Sequence, residues 1–209
     1  MQRHRYRRLD AAGIDAAFPP AEEAARNKKR PDVGLVAHRF IAHSPFVVLA
    51  TVSADGADSS PRGDEPGFVR VLDSRLLAVP DRSGNNLADS FRNVVRDPRV
   101  GMLFFVPGLT ETLRVNGYGF VTDDPEVLCR FEAGTRPVRL ALVVQVEEVF
   151  FHCGKAVIRS SLWEPDLDSA YAVAPGTNVF TMDNIERPDQ TLSPVEIQRL
   201  LAEGYQQDL

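Results

Sequence analysis

Groups that bind anions gather in two loops of the chain. The first is Ser59-Ser60-Pro61-Arg62-Gly63-Asp64; the second, Pro80-Asp81-Arg82-Ser83-Gly84-Asn85-Asn86, runs into a helix at Leu87. Arg82 offers a planar fork of donors, and Gly84 lets backbone come close to a ligand. The start of the following helix presents unpaired N–H groups suited to a phosphate. The same residues also make an ordinary surface loop, whose Asn and Ser side chains cap that helix. Spacing alone leaves both readings open.

Two further segments carry cations in a pattern. In Glu111-Thr112-Leu113-Arg114-Val115-Asn116-Gly117, a strand period puts Thr112, Arg114 and Asn116 on one face and sends Leu113 and Val115 to the core. An inward Arg114 needs a partner, either a carboxylate such as Glu111 or Asp64 or a ligand anion. Later, Lys155 and Arg159 stand one helical turn apart, with Trp163 a further turn along. That pair is either a solvated basic face or a clamp on an anion.

Other chemistries find little support. His38 and His43 miss the i, i+4 spacing that sets two metal ligands on one helix face, and His152-Cys153 has no cluster to complete a zinc site. No Gly-x-Ser-x-Gly nucleophile turn occurs, so acyl-transfer hydrolysis is not indicated.

The 209 residues suit one domain with an extension. A hydrophobic fraction of 44% with 25% charged residues is ordinary for a globular chain. The net charge of −5 argues against broad binding to nucleic-acid phosphates. The longest apolar run, Leu140 to Val144, is strand-sized, and no apolar stretch follows the basic N-terminus as a signal peptide requires. Two cysteines, Cys129 and Cys153, make no disulfide framework, so a cytoplasmic setting without membrane or nucleic-acid partners is expected.

The elements that would position these groups are mostly strands. Residues 1–31 read as a helical or flexible extension with a short polar helix from Ala21 to Arg30, and the domain proper runs from 32 to 209. Asp32 is the expected N-cap of a helix that stops before Pro45. Strands follow at 46–52, 58–61, 68–72, 76–79, 100–106, 111–122 and 138–151, with a bulge or bend at Gly117 or Gly119. One mid-chain helix carries Leu87, Phe91, Val94 and Val95 on its apolar face. Asp124-Pro125 opens a short helix, and Ser193-Pro194-Val195-Glu196 is a capping box for a last helix to about Gly204. Six or seven strands with these helices make a mainly antiparallel β-barrel with helices outside.

Taken together, Ser60-Pro61-Arg62-Gly63-Asp64, Pro80-Asp81-Arg82-x-Gly84-Asn85-Asn86, Asp89-Ser90-x-x-Asn93 and Asp97-Pro98-x-Val100-Gly101 resemble the pyridoxamine 5′-phosphate oxidase-like flavoproteins. The runs Glu111 to Gly117 and Phe151 to Trp163 are similar to an FMN-dependent subgroup whose substrate is unassigned. The resemblance spans roughly residues 35–165 and implies a six-stranded, Greek-key-type FMN-binding split barrel with peripheral helices, paired as a homodimer with FMN at the interface. By position it places Arg62 near the flavin ring or ribityl chain, and Arg82, Asn86 and Ser90 at the phosphate. Ser60, Asn85 and Arg114 join the cofactor set, and Lys155, Arg159 and Trp163 reach across from the other subunit. The chain departs from the family in two places. Ala88-Asp89-Ser90 lacks the basic pair of the family's Ser-Arg-Lys triplet, and the substrate-binding tail motif is missing. The expected function is therefore an FMN-dependent oxidoreductase of unknown small-molecule substrate. The alternatives are a flavin-binding or sensing protein without catalysis and a split barrel that holds haem or a deazaflavin.

Overall fold

The computed structural model describes residues 6–54, 56–82, 87–131, 137–175, 178–185 and 192–208. Three helices lead in: α1 (Ala11–Ala17), α2 (Glu23–Arg26) and α3 (Leu35–His43). The polar helix expected over 21–30 shrinks to the single turn of α2, and Asp32 does not cap α3. Val33 explains the later start: its N–H donates to the Ser74 carbonyl at 2.7 Å and its side chain is buried, so the chain stays extended until Gly34.

Seven antiparallel strands follow: β1 (Phe46–Ser53), β2 (Gly56–Gly63), β3 (Arg70–Asp73), β4 (Leu76–Pro80), β5 (Arg99–Phe105), β6 (Thr112–Thr122) and β7 (Ala141–His152). Their order in one sheet is β2-β1-β5-β6-β7-β4-β3. The seven strands read from the sequence are thus all present, one more than the six the resemblance implies, and the sheet is not closed, since β2 and β3 are edges. Most strands are built from the β-branched and aromatic residues that favour pleated backbone. β2 is not: Gly-Ala-Asp-Ser-Ser-Pro-Arg-Gly becomes a strand by pairing along β1, and Pro61 is tolerated because β2 is an edge.

The core follows the alternation of β1, β5 and β6. Val47, Leu49, Met102, Phe104, Leu113 and Val115 are buried together with Ile41 from α3. Each such side chain contributes roughly 1.5–3 kcal/mol by leaving water. The anticipated bulge lies between Asn116 and Gly117. A Cβ at Gly117 would fall on the Gln145 carbonyl oxygen, so only glycine lets β6 and β7 approach there.

Helix α4 (Asp89–Arg96) returns the chain from β4, beside β7, to β5, beside β1, and packs on β1 and β6. Its buried residues are Ser90, Phe91, Asn93 and Val94, whereas Leu87 and Val95 are exposed. The expected apolar face is corrected accordingly. Leu87 precedes the helix, and Val95 lies a further 100° round from Val94, outside the inward arc.

After β6 comes α5 (Pro125–Leu128), with Asp124 accepting from the Glu126 N–H at 2.9 Å as expected of an N-cap. Beyond β7 stand α6 (Lys155–Arg159), α7 (Leu167–Val173), α8 (Val179–Ile185) and α9 (Pro194–Asp208). The capping box of α9 is present: Ser193 N–H donates to Glu196 at 2.8 Å and Glu196 N–H donates to Ser193 Oγ at 3.3 Å. No helix among the described residues is long and apolar enough to cross a membrane.

Candidate anion site at the start of helix α4

The edge strand β2 turns alternate residues toward the molecule, and Asp58, Ser60 and Arg62 are its half-buried positions. Asp64 continues the row one step past the strand. Helix α4 and the segment before it supply a polar partner at every step. Asn93 Nδ2 donates to Thr51 Oγ1 at 3.1 Å and reaches Asp58 Oδ2 at 3.5 Å, with Thr51 Oγ1 3.4 Å from the same carboxylate. Ser60 and Ser90 share a hydroxyl hydrogen bond of 3.0 Å. Arg62 donates from Nη2 to Ser90 Oγ at 3.1 Å and from Nη1 to the Pro61 carbonyl at 2.7 Å. Arg82 Nε donates to Asp64 Oδ2 at 2.5 Å.

This ladder ends at a helix start with free capacity. Ala88, the N-cap of α4, has φ 52° and ψ 25° and makes no side-chain cap. A left-handed alanine costs about 1–3 kcal/mol, and such strain concentrates at binding sites. Among the described residues, no side chain caps the first N–H groups of α4, which stand beside Ser60, Ser90 and Arg62.

Burial pushes the Arg62 guanidinium pKa down, while Asp58 and Asp81 pull it back up. Arginine still keeps its proton, so a half-buried cation stands among neutral acceptors. Two hydroxyls, a guanidinium and helix-terminal N–H groups form the donor set that a phosphate oxyanion needs. Asp64, Asp81 and Asp89 moderate the positive field. On the outer face of the sheet, a cleft of about 580 Å³ runs past Ala50, Thr51, Ala57, Gly101 and Tyr118, sharing Thr51 with the ladder.

The sequence pattern of the pyridoxamine 5′-phosphate oxidase family matches residues 36–153. The chain belongs to that family. Solved structures that resemble this pyridoxamine 5′-phosphate oxidase-family chain include HupZ of Group A Streptococcus, at 13% identity and TM-score 0.48, covering 57% of this chain and 93% of that one. A candidate pyridoxamine 5′-phosphate oxidase from Lactobacillus delbrueckii has 25% identity and TM-score 0.47, covering 59% and 98%. An FMN-binding protein from Syntrophomonas wolfei has 10% identity and TM-score 0.42, covering 54% and 80%. No curated protein matches the sequence.

Within this family member, the structure brings together Ser60, Arg62 and Ser90, with Arg82 at the next step. Asn85 and Asn86 lie outside the described residues. Arg114 does not point inward and pairs with neither Glu111 nor Asp64. It is exposed, with its guanidinium 5.4 Å from the centre of the Phe150 ring. Lys155 and Arg159 are exposed on the short α6. Trp163 lies beyond α6, donating from Nε1 to the Leu109 carbonyl at 2.7 Å and meeting Phe105 edge-on. Among the described residues, no hydrogen bond joins these last three to Ser60, Arg62 or Ser90. The sequence reading gave no role to Asp58 or Thr51 and quoted Asn93 only within the resemblance. The strand expected at 58–61 is present, but it continues to Gly63, so Arg62, expected in a loop, lies on the strand.

Proposed function

We propose that the chain is an FMN-binding flavoprotein, an oxidoreductase acting on a small molecule. The observation that carries this reading is the Ser60–Ser90–Arg62 cluster at the uncapped start of α4, in a chain of the pyridoxamine 5′-phosphate oxidase family. Those donors would hold the FMN phosphate, with Arg82 close by on Asp64. Bound FMN supplies two-electron chemistry, and the protein supplies position and electrostatics. Asn93 and Thr51 hold Asp58, and Asp58 attracts the Arg62 guanidinium, so the polar ladder keeps that cation directed along β2.

A homodimer completes the proposal. The outer faces of β1 and β6 expose Phe46, Tyr118 and Phe120, an apolar surface that a second copy would cover. Lys155, Arg159 and Trp163 would then reach the flavin of the other subunit. The test is the absorption spectrum and released cofactor of the purified protein, followed by steady-state turnover with NADPH or oxygen. A flavin band with FMN in the extract supports the reading, and a haem or deazaflavin spectrum overturns it. Bound FMN without turnover would leave a flavin-binding protein in place of an enzyme.

A further inference from the structure

Residues 28–30 lie as a strap along β7, at a place where β4 no longer covers it. β4 pairs with β7 only over 141–145, whereas Arg30 exchanges both backbone hydrogen bonds with Val149, at 3.0 and 2.8 Å. The strap brings cations to one ring. Lys28 Nζ lies 5.1 Å, Lys29 Nζ 5.4 Å and Arg114 Cζ 5.4 Å from the centre of Phe150. Lys29 also pairs with Glu148 at 2.7 Å, and Glu148 accepts from Asn116 at 2.6 Å.

Between the strap, the first turn of α3 and the ends of β6 and β7 is a cleft of about 470 Å³. This is within the size range of small-molecule sites. Lys28, Arg30 and Asp32 form one side, and Leu35, Val36, Phe150 and Phe151 are among the apolar walls. Arg30 Nη1 comes within 3.9 Å of where a Gly34 side chain would sit, so a guanidinium stands at the positive end of a helix that no side chain caps. That placement is unfavourable unless an anion lies between them. Among the described residues, neither Lys28 nor Arg30 has an ion-pair partner. Of the charged residues that line the cleft, Lys28 and Arg30 stand against Asp32, which leaves one positive charge in excess, and Arg114 adds another cation nearby on the Phe150 ring.

We infer that this cleft binds a small amphipathic anion, an oxyanion head on an apolar body. The head sits between Lys28, Arg30 and the start of α3, and the body lies along Leu35, Val36 and the end of β7 at Phe150 and Phe151. The site uses no residue of the Ser60–Ser90 ladder, so it stands whether or not FMN binds there.

Calorimetric titration of the full chain with octanoate, octyl phosphate and octanol tests it. Both anions should bind and octanol should not. Tighter binding of octyl phosphate assigns a phosphate head, and tighter octanoate assigns a carboxylate. Arg30→Gln, which keeps the backbone pairing with Val149, should weaken both anions about tenfold or more. Lys28→Gln, at an exposed position, should weaken them in the same direction. The spectrum of any bound flavin should not change in either variant. Octanol binding as tightly as the anions, no binding by either anion, or unchanged affinity in both variants overturns the inference.

Discussion

Arg62 and Arg82 are both candidates for a phosphate, yet their surroundings differ. Arg82 already has a carboxylate, Asp64, within 2.5 Å, whereas Arg62 has only Ser90 and a carbonyl within hydrogen-bond reach. Arg62→Ala should therefore weaken FMN by about 1.5–3 kcal/mol and leave riboflavin, which lacks the phosphate, nearly untouched. Arg82→Ala should cost about 1 kcal/mol of fold stability and weaken FMN less. Fluorescence titration of both flavins with both variants decides the ranking; equal losses for FMN and riboflavin would mean the arginines act through the fold alone. A second residue-scale expectation concerns acid. The Arg99 side chain, its backbone N–H and its charge hold the Asp97 carboxyl down to about 2 from an ordinary 3.8. At neutral pH this contact stabilises the folded chain. The contribution is lost as pH falls from about 4 toward 2, because the unfolded chain takes up its proton first. Carbon NMR should show Asp97 titrating near 2 in the wild type and closer to 3.8 in Arg99→Gln.

Helix α4 is where apolar periodicity misleads. A pattern that counts only apolar residues selects Leu87 and Val95, both exposed, and passes over Ser90 and Asn93, both buried. Polar residues face inward there because β2, the surface they meet, carries Asp58 and Ser60 in place of a hydrophobic stripe. β2 itself is a poor strand former, held by its partner β1; a strand was legible at 58–61, but the loop-like composition hid its extension through Arg62 to Gly63. The bulge at Gly117, the Asp124 cap and the α9 capping box were legible because each depends on one local signal. Helices α7 and α8 carry such signals too, Asp166 accepting from the Ser169 N–H at 2.9 Å and Asn178 from the Thr181 N–H at 3.0 Å, but the sequence reading passed over both. Asn93→Ala should leave the Thr51 hydroxyl and the Asp58 carboxylate short of a buried donor and cost about 1–3 kcal/mol. Urea unfolding of flavin-free protein measures this, and a cost below about 0.5 kcal/mol would show that the triad is not holding α4 to β2.

For the whole molecule, the open sheet leaves two edges, β2 and β3, and, among the described residues, an aromatic face that stays exposed at Phe46, Tyr118 and Phe120. If FMN lies across two subunits, it binds only the assembled form. FMN at about a hundredfold its Kd should then stabilise the dimer by about 2.7 kcal/mol per site. Sedimentation of apo and loaded protein should show the dimer persisting to lower concentration when FMN is present. A monomer carrying one FMN would exclude a shared site, and Phe120→Glu should lower dimer affinity more than it changes monomer stability.

The pairing of Arg30 with Val149 also bears on how the chain is made. The strap precedes β1 and its partner β7 is the last strand of the sheet, so the strap must wait until all seven strands have been made before it can dock. Until then the far end of β7 is a bare edge, open to another copy of the same strand. Its partner in the sheet, β6, is already present and could seat β7 first, because the β6–β7 seam is the most extensive pairing in the molecule. The strap would then act as a late seal on a growing sheet, and its own lysines, Lys28 and Lys29, would discourage neighbouring nascent chains from adding a strand of their own.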